Sequence, residues 1–336
     1  MTEDDGAGPT DLIDELVHRA DLDGLVRLVD GLTSSHDWRN LLVLRDRARA
    51  GVLTGRQLWP AATLAEYRLA LHAPPEWAAR VLDEESGRFT VGPLTEVVAQ
   101  HHTLADLAAH LPPSPRLGLI AHERALRGES VIVEAPDVFE MPFEIQPWEP
   151  VYPLATYSND GVDAPSPQRP SRLVRATPNP TARVDDPDVE RAVRQLFEPW
   201  TADSNGRVEM VCVEGSAADA VGAFGLASPA LGRLDHQTAL AWLAWAGASG
   251  GAHGRRRGAA LGRFGVWWLL ATLADRTDDW PVHADEMGEI ATSLRWWWWD
   301  ANEPHPLDPG RGWEVRLVFE DADEGYAWAI SAIDAV

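Results

Sequence analysis

With 336 residues, 45% of them apolar, the chain is long enough to bury two cores and too apolar to be disordered. A net charge of −23 leaves no basic face for phosphate backbones, which argues against nucleic acid as a partner. All 29 basic residues are arginine, so a Schiff-base lysine, a P-loop lysine and a kinase-type strand lysine are excluded.

From Thr10 to about Arg127 the pattern is one of short helices joined by turns. Thr10 is placed as an N-cap, with Asp11 and Asp14 in the first turn where the helix dipole favours acids. Leu22, Leu25, Val26, Val29 and Leu32 recur at helical spacing, as do Trp38, Leu41 and Leu42. Pro60, Pro74–Pro75, Pro93 and the Pro112–Pro115 run interrupt the pattern, so residues 1–128 are expected to form an array of short helices.

Composition then changes. Residues 129–187 hold 11 of the 25 prolines and suit an extended connector. Phe139, Met141, Phe143 and Ile145 alternate with polar residues, but the prolines restrict such runs to edge strands or to wrapped, unpaired chain. Asn159–Gly161 and Pro165–Pro170 read as loop.

Residues 188–336 are expected to form an α+β domain rich in tryptophan. A helix begins near Asp188, a strand spans Arg207–Glu214, and Ser216 with Asp219 has the form of an N-cap with an acid at N3. Two apolar helical segments flank a Gly/Arg-rich elbow, and no carboxylate occurs between Asp235 and Asp275. Another amphipathic helix covers 283–294. Arg295–Asp300, Trp313–Asp321 and Tyr326–Asp334 alternate as strands, with Gly325 in the last turn; they predict a three-stranded antiparallel meander. The fold class expected is α+β, predominantly helical, with a small antiparallel sheet ending in that meander.

QLWPAATLAEYRLALHAPPEW (57–77), RWWWWD (295–300), the following Glu303–Pro304 and GWEVRLVFEDADEGYAWAISAIDA (312–335) resemble an uncharacterised family of proteins from high-GC Gram-positive bacteria. The resemblance spans nearly the whole chain. It implies a free-standing cytoplasmic protein and carries no activity.

The elbow, residues 247–263, is the first place to look for function. His253, Arg255, Arg256, Arg257 and Arg263 beside Gly250, Gly251 and Gly254 could hold a phosphate or carboxylate on guanidinium forks and backbone N–H groups. The plainer alternative is that the glycines let two helices pack closely and the arginines pair with acids such as Glu320, Asp321, Asp323 and Glu324 or stack on tryptophan. The run Trp296, Trp297, Trp298 and Trp299 is a candidate aromatic interface. In a strand its two pairs point oppositely, so whichever pair lies outside the core needs cover from the connector, a partner or a ligand.

Ser216 reads as a helix cap rather than a nucleophile, because G-x-S-x-G is absent. Cys212 reads as buried and inert. His101, His102, His110 and His122 lack metal-ligand spacing, and the acid pairs Glu84–Glu85, Asp185–Asp186 and Asp278–Asp279 read as solvated loops. No metal, cofactor or catalytic residue is expected.

The single cysteine agrees with a reducing compartment. The acidic amino terminus lacks a signal-peptide pattern, and the apolar stretch 238–252 is too short to span a membrane. These features fit a cytoplasmic, non-enzymatic protein that binds a partner, self-associates, or neutralises a basic protein by its acidity. The alternative is a small-molecule binder or enzyme with an anionic ligand at the elbow.

Overall fold

A computed structural model describes residues 8–82, 91–301 and 312–335; Glu84–Glu85, Glu303–Pro304 and the first seven residues lie outside this set. The described residues contain fourteen α-helices, a two-stranded sheet and a seven-stranded sheet, both antiparallel, which is the expected α+β class. The chain divides into two compact units. One takes the described residues up to Pro136 together with Thr156–Asp163, and the other takes Asp137–Ala155 with the rest. The proline-rich stretch is thus shared out.

The first unit is the helical array: α1 (Pro9–Arg19), α2 (Leu22–Ser34), α3 (Trp38–Leu53), α4 (Trp59–His72), α5 (Pro75–Ala78), α6 (Leu94–His101), α7 (Leu104–Ala108) and α8 (Pro115–Leu126). Its first cap differs from expectation. The helix starts one residue before Thr10, and Asp11 accepts from the backbone N–H of Gly8. Helix α4 is the centre of the unit, buried along nearly its whole length and packed by α2, α3, α5 and α6. Burial all round is why it shows little amphipathic pattern. Its buried Glu66 is bound by Arg49, and its Tyr67 hydroxyl donates to the Ser158 carbonyl at 2.6 Å. That carbonyl belongs to the hairpin β1 (Thr156–Ser158) and β2 (Gly161–Asp163), which Gln100 also grips at both backbone groups of Tyr157.

The second unit is built on a sheet of order β3-β6-β7-β8-β9-β5-β4. Its strands are β3 (Val174–Arg175), β4 (Arg183–Val184), β5 (Arg207–Glu214), β6 (Ala230–Leu234), β7 (Arg295–Asp300), β8 (Gly312–Asp321) and β9 (Tyr326–Ala335). The expected meander is present as β7-β8-β9 and the strand at 207–214 joins its far side. Sequence reading did not find β6. The proline-rich chain contributes both edge strands, each two residues long, and strands so short offer little template for pairing with another chain. The run 138–145 forms no strand, and its alternation holds only in part: Phe139 and Met141 are buried, Phe143 is half-buried and Ile145 is exposed.

Helices α9 (Pro187–Leu196), α10 (Glu198–Ala202), α11 (Ala217–Gly222), α12 (His236–Ala248), α13 (Ala259–Leu273) and α14 (Ala284–Ser293) complete this unit. α11 covers one sheet face, where Ala220 and Val221 meet Val211, Val213, Val318, Ala327 and Trp299. Against the other face lie the tryptophans of α12: Trp242 packs on Trp298 at 4.7 Å and Trp245 on Trp313 at 4.9 Å between ring centres. α12 and α13 approach closely at Gly262, where a Cβ would come within 2.2 Å of the Ala244 carbonyl oxygen.

Inside this unit Arg263 is paired with Glu149. Both side chains are fully buried. The guanidinium donates to both Glu149 carboxylate oxygens at 2.6 and 2.7 Å, and to the carbonyls of Pro142, Phe143 and Glu144. Tyr152 adds its hydroxyl to the same carboxylate. Burial, reinforced by that neighbouring anion, raises the Tyr152 pKa well above its ordinary value. Burial by itself would lower the Arg263 pKa, but the paired carboxylate holds it above the usual arginine value.

Removing one member of such a pair leaves a buried charge without compensation. Arg263→Ala is expected to cost about 3–5 kcal/mol, read from the urea midpoint. Arg263→Met with Glu149→Leu together should recover much of that loss, because the desolvation cost disappears with both charges.

Candidate ligand-binding cleft

The elbow between α12 and α13 packs on the sheet. Its backbone does hold a carboxylate, and that carboxylate is the protein's own: Asp334 of β9, fully buried, accepts from the Ala252 N–H at 2.5 Å and from the Ser204 hydroxyl at 2.7 Å. Ser204 in turn accepts from the His253 N–H at 3.0 Å. Gly251 adopts φ +71° with Asp334 so close that a Cβ would sit 2.3 Å from its Oδ2. This part of the elbow backbone is therefore taken up by an internal carboxylate.

The five elbow side chains are not brought together on one surface. Arg263 is sealed against Glu149 and cannot meet a ligand, which corrects its placement in the site. Arg256 is buried, Arg255 is half-buried, and neither guanidinium is free. His253 is exposed. Arg257 is left: 39% exposed, it pairs with Glu198 of α10 at 3.1 Å. The acids engaged by Arg257 and Arg263 are Glu198 and Glu149, where the sequence pointed to the β8–β9 turn; there Glu320 pairs with Arg295 at 3.2 Å.

Arg257 stands beside a cleft of about 430 Å³ between α9 and α13. Its walls are Ala192, Leu196, Leu261, Phe264 and Trp268, with Gly247 and Gly265 and the polar side chains of Gln195, Glu198 and Arg257. The local sequence explains the shape. Glycines at 247 and 265 let the Leu196 side chain pack directly on the backbone of α12 and α13, since a Cβ at either position would lie 2.7 or 2.4 Å from its Cδ1. The aromatic wall is braced from behind, since Phe264 stacks on Phe139 at 4.7 Å and meets Trp268 and Trp280. Helix α9 was legible as an amphipathic element; that its face and that of α13 would leave a gap was not. In the first unit a depression of about 640 Å³ lies beside Arg45 and Arg49, but these cations face Asp46 and Glu66 in the same wall.

Three of the four consecutive tryptophans are inside. Trp296, Trp298 and Trp299 are at most 2% exposed, covered by α14, α12 and α11 respectively. The proline-rich chain helps: Arg169 lies 4.8 Å over Trp298. Any aromatic surface on this strand therefore reduces to Trp297, and Arg233 stacks over it at 4.7 Å.

Ser216 is the cap of α11, with Asp219 closing a capping box. Asp186 corrects the reading of its pair as solvated acids: it caps α9 and accepts from the Trp328 indole at 2.8 Å. Asp278 and Asp279 are exposed. Among the described residues no group of histidine, cysteine and acid side chains has metal-site geometry, and no helix is long and apolar enough to cross a membrane.

A family model described as a family of unknown function, DUF6183, matches residues 23–334, and the chain belongs to that family. No curated protein and no solved structure matches the chain.

Two outcomes follow from these surroundings. Asp334→Ala strips the acceptor from Ala252 and Ser204, and chemical denaturation should show a loss of about 1–3 kcal/mol. Cys212 is buried, and burial with the nearby Asp186 charge pushes its pKa up to about 12. An ordinary thiol is roughly half ionised near pH 8.5, so Cys212 should resist iodoacetamide at that pH in the native protein and react promptly in urea.

Proposed function

We propose that this is a non-enzymatic binding protein of the cytoplasm, whose ligand is a small, largely apolar molecule with an anionic group. The observation that carries the reading is the position of Arg257, where the cationic elbow meets an apolar cleft. Its size and lining suit a small-molecule site, which is typically an apolar cavity with a few polar groups that orient the ligand. The polar side chains of the wall are Gln195, Glu198 and Arg257, which can orient the polar end of a ligand.

Magnitudes assign the roles. Burying 100 Å² of ligand apolar surface gives roughly 2.5 kcal/mol. An exposed ion pair such as Arg257–Glu198 is worth about 0–1 kcal/mol, so a ligand can displace it. The apolar body then provides most of the affinity, and the anion decides which end faces out.

A second reading has its own support. Glu214, Asp321, Asp323 and Glu324 gather where the β8–β9 turn meets the end of β5, and the net charge is −23. These favour a basic protein partner, captured in a salt-sensitive way.

Titration calorimetry with 1-naphthoate and its neutral counterpart 1-naphthol tests the first reading. Naphthoate should bind about tenfold more tightly, a margin of roughly 1.4 kcal/mol. Arg257→Gln should erase that margin without lowering the melting temperature of the free protein. No heat and no thermal shift with either compound at millimolar concentration would sink it.

A further inference from the structure

The mouth of the cleft bears two opposite charges rather than one. Arg257 and Glu198 face each other at 3.1 Å, with 39% and 61% of their side chains exposed. Both line the apolar cavity. A simple anion placed at Arg257 would neutralise one of them and leave the other beside a like charge. A ligand with an ammonium next to its carboxylate meets both. The pair opens, the guanidinium takes the carboxylate as a fork, and Glu198 takes the ammonium, so no charge is left without a counter-charge. Gln195 on the same wall supplies an amide donor and acceptor for the polar end.

We propose that the cleft binds a zwitterion with an apolar side group, of the class of the aromatic and branched aliphatic α-amino acids. The apolar group would lie between Leu261, Phe264 and Trp268, beside the Leu196 side chain that packs on Gly247 and Gly265. The inference rests on the reading of the cleft as a binding site and narrows it from anions to zwitterions. Glu198 becomes the specificity residue, since it penalises a monoanion and rewards a ligand that carries the second charge.

The test is calorimetry on the full-length protein with three compounds that share one ring: L-phenylalanine, 3-phenylpropionate, which lacks the ammonium, and 2-phenylethylamine, which lacks the carboxylate. Phenylalanine should bind at least tenfold more tightly than either. Glu198→Gln should lower phenylalanine to the level of phenylpropionate while strengthening phenylpropionate. Arg257→Gln should lower phenylalanine to the level of phenylethylamine. Both side chains are at the surface, so an unchanged melting temperature for each variant shows that the fold is intact. Phenylpropionate binding as tightly as phenylalanine, or phenylalanine indifferent to Glu198→Gln, overturns the zwitterion assignment and leaves the anion-binding reading standing. If none of these compounds and neither naphthalene probe binds, both fall.

Discussion

A guanidinium removed from water survives only if every donor finds an acceptor and its charge finds a partner. Arg263 meets both conditions through Glu149 and the carbonyls of residues 142–144. The consequence is architectural. A chain segment with no strand or helix of its own is fixed to the side of α13, and its Phe139 then backs the Phe264 ring that walls the cleft. Replaced by apolar residues, the pair could leave a stable protein; what it contributes is one position for the segment among many that proline-rich chain could adopt.

Tryptophan does the same work with a single donor. Each ring brings a large apolar area, and in four of them the indole N–H joins extended chain to a packed element. Trp242 and Trp245 donate to the carbonyls of Gln168 and Ala164, and Trp280 donates to that of Phe139. Trp148, itself in the extended chain, donates to the Ala284 carbonyl of α14. The second unit is therefore held by a core whose polar edges point at the very segment that lacks secondary structure. Twelve of the sixteen tryptophans lie after residue 187, and three of them, Trp242, Trp245 and Trp280, make these ties.

The elbow shows how a protein so acidic disposes of a local excess of positive charge. Its carboxylates arrive from distant parts of the sequence: Glu149 to Arg263, Glu198 to Arg257, and Asp334 to the backbone of the turn itself. Two of these three contacts are buried, and the third is at the surface beside apolar walls. That difference in burial, rather than any difference in residue type, separates Arg263 from Arg257.

Elements whose residues carry their own instructions were legible in the sequence. The alternation of 313–321 and 326–334 gave the meander, Ser216 and Asp219 gave a cap, and the valines of 207–214 gave a strand, because period and local hydrogen bonding act over a few residues. Strand β6 was not legible. Ala230–Leu234 has a glycine at its centre, and it is a strand because β7 pairs with it on one side while Leu173 and Pro170 press on Gly232. The same holds for the site. The sequence determined that the stretch between Asp235 and Asp275 must be buried or stay positive, since residues 236–274 contain no acid. Only the tertiary structure decided which arginine would meet a carboxylate in the dry interior and which at the rim of a cavity, because those partners lie about 60 to 115 residues away and only packing brings them within reach.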